Sequence, residues 1–345
     1  MSELHNTVTN TNNHPSTDQH SARSYAQAKR MLATRNLSQD QWLKARLKGI
    51  GSSDASAAVG LNPYKSQLEL WMEKTGRITP EQPSEVEDSP LLWGTVLEPI
   101  VAEHYAKRTQ RKVRRVNAIL QHSEHEWMLA NLDRDIVGDE EVQILECKTA
   151  GIHSAKFWEN GVPEYIQLQV QHQLAVTGQF AADVAVLIGG QKLETYRVER
   201  DDELIKQLIK LEALFWKRVE DDIPPPVDAN SSSAQALRLL YPHDNNQTLN
   251  LETDEEANRR FNTLLSVREQ LTILSKQEAL LKHQLQETIG ENSIALFEQG
   301  KITWRQSKPS TQLDTKRFKQ EEPKLYEKYS KPKLGTRRFL VQTTH

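Results

Sequence analysis

The sequence predicts a mixed α/β fold, a central sheet flanked by helices, followed by a mainly helical C-terminal extension. Three observations carry this reading. Strand-like apolar runs cluster between Val113 and Val198 and alternate with helical patterns. A Gly-Asp-Glu-Glu turn at 138–141 joins two of those runs as a hairpin. After Pro224-Pro225-Pro226, the apolar pattern changes to one long helical period.

In chain order, residues 1–36 are rich in Ser, Thr, Asn, Gln and His and read as a polar, disordered tail; His5, His14 and His20 there lack ligand spacing. Ser38 is a helix N-cap ahead of Trp42, Leu43, Arg46 and Leu47. Gly49-Ile50-Gly51-Ser52-Ser53-Asp54 turns into a short helix from Ala55 to Val59, which ends at Gly60-Leu61-Asn62-Pro63-Tyr64. Ser66 to Thr75 is a third helix, and Thr79 to Pro90, with its prolines and acids, is an exposed loop. Leu92 to Arg108 shows helical spacing of Leu97, Ile100, Val101, His104 and Tyr105. Strands are predicted at Val113–Leu120, Trp127–Val137, Val142–Thr149, Ala182–Ile188 and Leu193–Val198, with helices from Pro163 to Thr177 and from Asp201 to Asp222. The domain boundary is placed after Val227, which gives a first domain over 37–227 and an extension over 228–345. In that extension, Asp254 to Ile289 carries Phe261, Leu264, Leu271, Leu274, Leu281 and Leu285, read as a packed helix, a hairpin arm or a short coiled coil.

Composition excludes several classes. The chain has 345 residues, 37% hydrophobic and 26% charged, ordinary for a protein with a real core. No apolar run approaches the ~20 residues that cross a bilayer, so no membrane partner is expected. The N-terminus shows no signal pattern, which leads to the expectation of an intracellular, cytoplasmic chain. Cys147 is the lone cysteine, which excludes an internal disulfide and a Cys-based zinc site. A net charge of −3 gives no global case for nucleic-acid binding. Locally, residues 301–345 hold twelve Lys/Arg against four Asp/Glu, with Trp304, Phe318, Tyr326, Tyr329 and Phe339 interleaved, a composition suited to phosphate contact and base stacking or to a packed basic surface.

The hairpin carries the chemistry. Alternation on Val142–Lys148 puts Glu146 and Lys148 on one face with Ile144, and Leu145 and Cys147 on the other. If Val137 pairs with Val142, Asp133 lies opposite Glu146. Two facing carboxylates repel unless a hard cation such as Mg²⁺ or Mn²⁺ sits between them. Asp135 shares the Asp133 face and competes as a ligand, and plain exposed hairpin residues would give the same spacing. On the next helix Tyr165, Gln169 and Gln173 form one stripe, either a solvated face or a surface that positions water or phosphate. Val170 and Leu174 point to the core. His122 and His125 form an H-x-x-H pair in a loop, with zinc binding as one reading and a solvated loop as the other.

Five motifs in order then resemble a known family. Arg46–Asp54 with Gly60–Tyr64, Trp93-Gly94-Thr95-Val96-Leu97-Glu98, Leu132-Asp133, Leu145-Glu146-Cys147-Lys148, and Gln169–Leu174 with Val176-Thr177-Gly178 resemble the YqaJ-type viral recombinases, in the lambda-exonuclease branch of the PD-(D/E)XK nucleases. The resemblance spans about Trp42 to Asp222. Leu132 stands where the family often has proline, and Ile166 where it commonly has tyrosine.

The resemblance implies a PD-(D/E)XK nuclease core and a metal-dependent DNA exonuclease, working 5′ to 3′ on duplex ends in phage or prophage recombination. It implies Mg²⁺, or Mn²⁺, on Glu98, Asp133, Glu146 and the Cys147 carbonyl, with Lys148 and Gln169 completing the catalytic set. Lys148 would hold or help deprotonate the attacking water and offset phosphate charge, its pKa falling where it is desolvated beside the metals. Arg46 and Ser53 would grip a 5′ phosphate, to which a guanidinium fork and an N-terminal helix turn are suited. Implied partners are double-stranded DNA ends, a RecT-like single-strand annealing protein and further copies in a ring. An endonuclease of the same fold, or a non-catalytic DNA-binding or assembly module, are the alternatives.

Overall fold

The computed structural model describes residues 25, 28–80, 89–332, 335 and 337–343. The histidines of the N-terminal segment and most of the proline-rich loop before Pro90 lie outside these residues. The chain forms two compact units, divided between Leu240 and Tyr241.

The first unit runs β1 (Ala28–Ala33), α1 (Gln39–Arg46), β2 (Ile50–Gly51), a 3₁₀ turn (Ser52–Asp54), α2 (Ala55–Ala58), α3 (Gln67–Lys74) and α4 (Pro90–Thr109). It continues with β3 (Lys112–Arg115), β4 (Ala118–His122), β5 (Met128–Ala130), β6 (Arg134–Val137) and β7 (Ile144–Ala150). A 3₁₀ segment (Ile152–Trp158), α5 (Glu164–Thr177), β8 (Ala181–Ile188), β9 (Lys192–Glu199), α6 (Asp202–Glu220) and α7 (Ser231–Leu240) complete it. This is the mixed α/β architecture expected. Ser38 closes a capping box with Gln41 at the start of α1, and Ser66, Ser89 and Asp201 cap α3, α4 and α6 through their side-chain oxygens.

The main sheet has the order β3-β6-β7-β8-β9. Only β7 and β8 pair in parallel, and α5 is their crossover. Ile144, Val184 and Val186 pack with Val170 and Leu174 of α5 on one face. Leu145 and Cys147 pack with Val101, Ala102 and Tyr105 of α4 on the other. A smaller sheet has the order β1-β4-β5-β2.

Three sequence expectations change. Residues 28–33 are an edge strand paired with β4, not part of a tail; Met31 and Leu32 pack on Ala45, Ile119 and Leu129. Two predicted strands are each broken: the chain leaves the main sheet after β3 to enter the small one as β4, and returns from β5 to β6. Apolar residues resume directly after Asn117, and apolar Leu132 stands between Asn131 and Asp133, so the pattern alone does not show that the strands end there. Finally, the boundary expected after Val227 moves, because Ser231–Ser233 begin α7. Ser232 Oγ accepts from the Ser66 N–H at 2.7 Å and Ala236 joins the α3 core, which carries the first unit on to Leu240.

The second unit holds α8 (Glu255–Ile289), the hairpin β10 (Ile294–Phe297) and β11 (Gly300–Thr303), α9 (Thr315–Glu321) and α10 (Pro323–Tyr329). Among the described residues, no helix is long and apolar enough to cross a membrane.

Candidate active site

The register predicted for the hairpin is present: Arg134 pairs with Leu145 and Asp135 with Ile144, which puts Asp133 level with Glu146. The ladder between β6 and β7 is only these two pairs long, because the chain enters β6 from the other sheet at Asn131–Asp133. Beyond them the β7 edge is open. Asp133 Oδ2 accepts the Cys147 N–H at 2.8 Å, where a further strand rung would otherwise lie. Glu98 reaches the same place from α4. Glu98, Asp133, Glu146, Cys147 and Lys148 line one cavity of about 270 Å³ with Gly94, Thr95 and Thr149.

The α5 stripe faces this cluster and is not solvated. Gln169 Nε2 donates to Glu146 Oε1 at 2.6 Å, and Gln173 Nε2 to Glu146 Oε2 at 2.7 Å. Lys148 Nζ lies 2.7 Å from Glu146 Oε1 and donates to Gln169 Oε1 at 3.0 Å. Glu146, Lys148 and Gln169 therefore form a closed triangle of charge-assisted hydrogen bonds. Gln173 is fully buried and its Oε1 has no hydrogen-bond partner. Tyr165 meets Tyr64 edge to face with ring centroids 5.7 Å apart, and burial followed by Tyr64 pushes its hydroxyl pKa up to about 12.

Electrostatics sort the groups. Burial, then Glu146 and Glu98, push the Asp133 carboxyl well above the usual range. Burial alone would lower the Lys148 ammonium, but Glu146 and Asp133 outweigh it and its pKa is raised. Two carboxylates face the amine here, whereas the lowered value expected from the sequence belongs to a site with metals beside the lysine. Burial likewise pushes the Cys147 thiol up, which makes it a packing group with no thiolate chemistry.

Glu98 is turned to Arg134, whose Nη1 lies 2.6 Å from its Oε1. Among the described residues no three acidic, His or Cys side chains converge at metal-ligand spacing. The chemistry of the donor set nevertheless suits a divalent cation, with three hard carboxylates and a backbone carbonyl on one wall. Arg134 and Lys148 occupy Glu98 and Glu146, and burial beside those two acids leaves Asp133 disfavoured as an anion. Asp135, the competing ligand, is committed elsewhere: it is buried, 2.8 Å from Arg114 Nη2 and 3.2 Å from the Tyr25 hydroxyl.

Arg46 and Ser53 are together as predicted, Arg46 Nη2 donating to Ser53 Oγ at 3.1 Å. What the sequence reading missed lies underneath. Asp54 Oδ1 accepts from Arg46 Nη2 at 2.8 Å, and its Oδ2 accepts from Lys74 Nζ at 2.7 Å. Burial opposes the Asp54 charge, yet Arg46 and then Lys74 hold its carboxyl far below the usual range. Trp42 stacks under the guanidinium, 4.9 Å from ring centroid to Cζ; its i, i+4 spacing to Arg46 was the available signal. A second cavity, about 600 Å³, joins Trp42 to Glu98 and Asp133 and is also lined by Arg35, Arg115, Asn117 and Asn131.

His122 and His125 do not form a zinc pair. Their rings stack 4.9 Å apart, and His122 Nδ1 accepts the Glu124 and His125 N–H groups.

A model of the YqaJ-like viral recombinase domain matches residues 41–179. Protein YqaJ of Bacillus subtilis (strain 168) is 39% identical over 314 residues, covering 89% of this chain and 95% of that protein. An alkaline exonuclease, LHK-Exo from Laribacter hongkongensis, superposes with a TM-score of 0.44 at 21% identity over 53% of this chain and 94% of its own. A phage-related exonuclease from Haemophilus somnus 129PT gives a TM-score of 0.38 at 12% identity over 50% of this chain and 94% of its own. Identity of that extent to the Bacillus protein, together with the domain match, makes this chain a member of the YqaJ-like viral recombinase family.

Proposed function

We propose that the chain is a divalent-metal-dependent deoxyribonuclease that degrades duplex DNA from its ends, 5′ to 3′, in phage-type recombination. The observation that carries this reading is the shared cavity in which Glu98, Asp133, Glu146 and Lys148, from three separate elements, line one wall. When bound by Asp133, Glu146, the Cys147 carbonyl and Glu98, Mg²⁺ or Mn²⁺ supplies a Lewis acid for the scissile phosphate and a water made acidic at neutral pH.

The chain's own groups do the rest. Lys148 is charged and tied to Glu146 and Gln169. It is placed to donate to a phosphoryl oxygen and to hold, or help deprotonate, the attacking water. Gln169 and Gln173 clamp both oxygens of Glu146 and so fix the orientation of that carboxylate. The Arg46–Ser53 pair is the proposed seat for a terminal 5′ phosphate. The larger cavity runs from Trp42, beside that seat, to Glu98 and Asp133. A strand anchored at its end would then present an internal phosphodiester to the acids, which favours exonuclease over internal cutting. The 3′ overhang so made suits a RecT-like annealing protein.

The test is digestion of linear 5′-phosphorylated duplex with Mg²⁺, beside the same duplex closed into a circle. Wild type digests only the linear form, and Lys148→Ala loses roughly 10²-fold or more in rate. Equal digestion by Lys148→Ala rejects the assigned site, and equal cutting of circles rejects the end-dependent reading in favour of an endonuclease.

A further inference from the structure

The long helix α8 carries an apolar seam that is half-buried at Ala257, Leu264 and Leu285 and exposed at its other apolar positions. In heptad terms Ala257, Leu264, Leu271 and Leu285 occupy a, and Val267, Leu274 and Leu281 occupy d. Val267, Leu271, Leu274 and Leu281 are 45%, 57%, 58% and 59% exposed. Such a row of large apolar side chains, kept in register over about four heptads, is the pattern of one strand of a coiled coil. The seam has two charged exceptions, Arg260 at d and Glu278 at a.

These exceptions identify the occupant. We propose that the seam packs against the same seam of a second copy of this chain, antiparallel, about a twofold axis beside Glu269. In a parallel pair each exception meets itself, Arg260 on Arg260 and Glu278 on Glu278, and two layers of the seam repel. In an antiparallel pair, a residues meet d residues. The register that lays Leu271 on Val267 of the second copy also lays Leu264 on Leu274, Ala257 on Leu281 and Arg260 on Glu278. One register thus makes every layer from 257 to 281, about 37 Å of helix, either apolar on apolar or cation on anion. The interruptions of the stripe complement each other across two antiparallel copies and in no parallel arrangement.

The competing contacts are weak. Arg260 Nε lies 3.0 Å from Glu256 Oε1 and Glu278 Oε1 lies 2.6 Å from Lys282 Nζ, both exposed pairs one turn apart on the same helix. Exchanging them for a contact flanked by leucines costs little. Arg268 meets its own mate near the axis, at the solvated rim of the seam, where physiological salt screens like charges. The inference is independent of the nuclease reading, since none of these residues belongs to the first unit.

The experiment measures the mass of the full-length chain in solution by sedimentation or light scattering at micromolar concentration. The expected mass is twice 39.5 kDa. Leu271→Glu with Leu274→Glu gives monomer. Ile273→Glu, a control on the same helix at an equally exposed apolar position outside the seam, leaves the dimer intact. Arg260→Glu and Glu278→Arg each weaken dimerisation at least tenfold, and the double exchange restores it. Circular dichroism of each variant establishes that α8 stays folded. A monomeric wild type, a dimer that survives the Leu271/Leu274 substitutions, or a larger assembly indifferent to them overturns the proposal. Failure of the double exchange to restore a dimer that either single exchange breaks overturns the antiparallel register.

Discussion

Asp54 offers the sharpest test of how the proposed phosphate seat is built. Its carboxylate is 2% exposed and holds two cations, Arg46 at 2.8 Å and Lys74 at 2.7 Å. The Lys74 side chain is itself 3% exposed, with the Arg46 carbonyl, 2.9 Å from Nζ, as a further acceptor. Asp54→Asn keeps the shape and one acceptor oxygen but turns an N–H₂ toward a cation. Lys74 is then a buried charge without its counter-ion. Breaking a buried pair from one side costs about 3–5 kcal/mol. In a unit of this size ~1 kcal/mol moves Tm by roughly 2–4 °C, so the expected fall is on the order of 10 °C. Adding Lys74→Met removes the stranded ammonium, and roughly half of the loss is recovered. Thermal unfolding gives the stabilities, and competition between 5′-phosphorylated and 5′-hydroxyl duplex gives the second readout. With the guanidinium no longer held from behind, preference for the phosphorylated end falls about tenfold. Because the folded-state pKa of Asp54 lies far below its unfolded value, its contribution is present above about pH 4 and disappears only in strong acid. An Asp54→Asn protein with unchanged Tm and unchanged end preference refutes the reasoning.

Other outcomes follow from the same geometry. His172 is fully buried, with Nδ1 2.8 Å from Glu212 Oε1 and Nε2 3.0 Å from the Leu129 carbonyl, so both ring nitrogens face acceptors. Burial lowers its pKa, but Glu212 outweighs that and the net shift is upward. Its stabilisation is complete below the ordinary His value near ~6.5 and is lost as pH rises through the raised one; His172→Gln should flatten a Tm-versus-pH curve on that alkaline side, and an unchanged slope would show the ring is neutral. Mg²⁺ should stabilise wild type by about 2.7 kcal/mol at a hundredfold excess over its Kd, read as a higher Tm, and leave Asp133→Asn unmoved; equal shifts would place the ion elsewhere. Gln173→Leu strands Glu146 Oε2 in a buried setting, at a cost of about 1–3 kcal/mol, while Gln167→Leu on the exposed side of α5 should stay within ~1 kcal/mol of wild type by chemical denaturation.

The site was legible in the sequence to the extent that it follows from strand geometry. A turn at Gly138, whose φ of +75° suits glycine, fixes the hairpin, and alternation then puts Glu146 and Lys148 on the α5 side of the sheet and Cys147 on the α4 side. What stayed hidden depends on contacts between distant segments. Nothing local tells Asp133 from Asp135, since both share a face; Arg114 on a neighbouring strand claims the second. The breaks at 116–117 and 131–133 are marked only by Asn117, Asn131 and Asp133, yet they send the chain between sheets and leave the β7 edge open for the cavity. Lys74 carries no local signal of its role, because its partner Asp54 lies on another element.

The pairing of β1 with β4 has a practical consequence. A designer trimming low-complexity sequence would start a shortened chain at residue 37, since everything before it looks dispensable. That cut would strip the outermost strand and bare the N–H and C=O groups of Ala118–His122 along an apolar margin. Bared margins of this kind recruit one another, so the shortened protein should precipitate or form ladders, while one beginning just ahead of Tyr25 keeps its hem stitched.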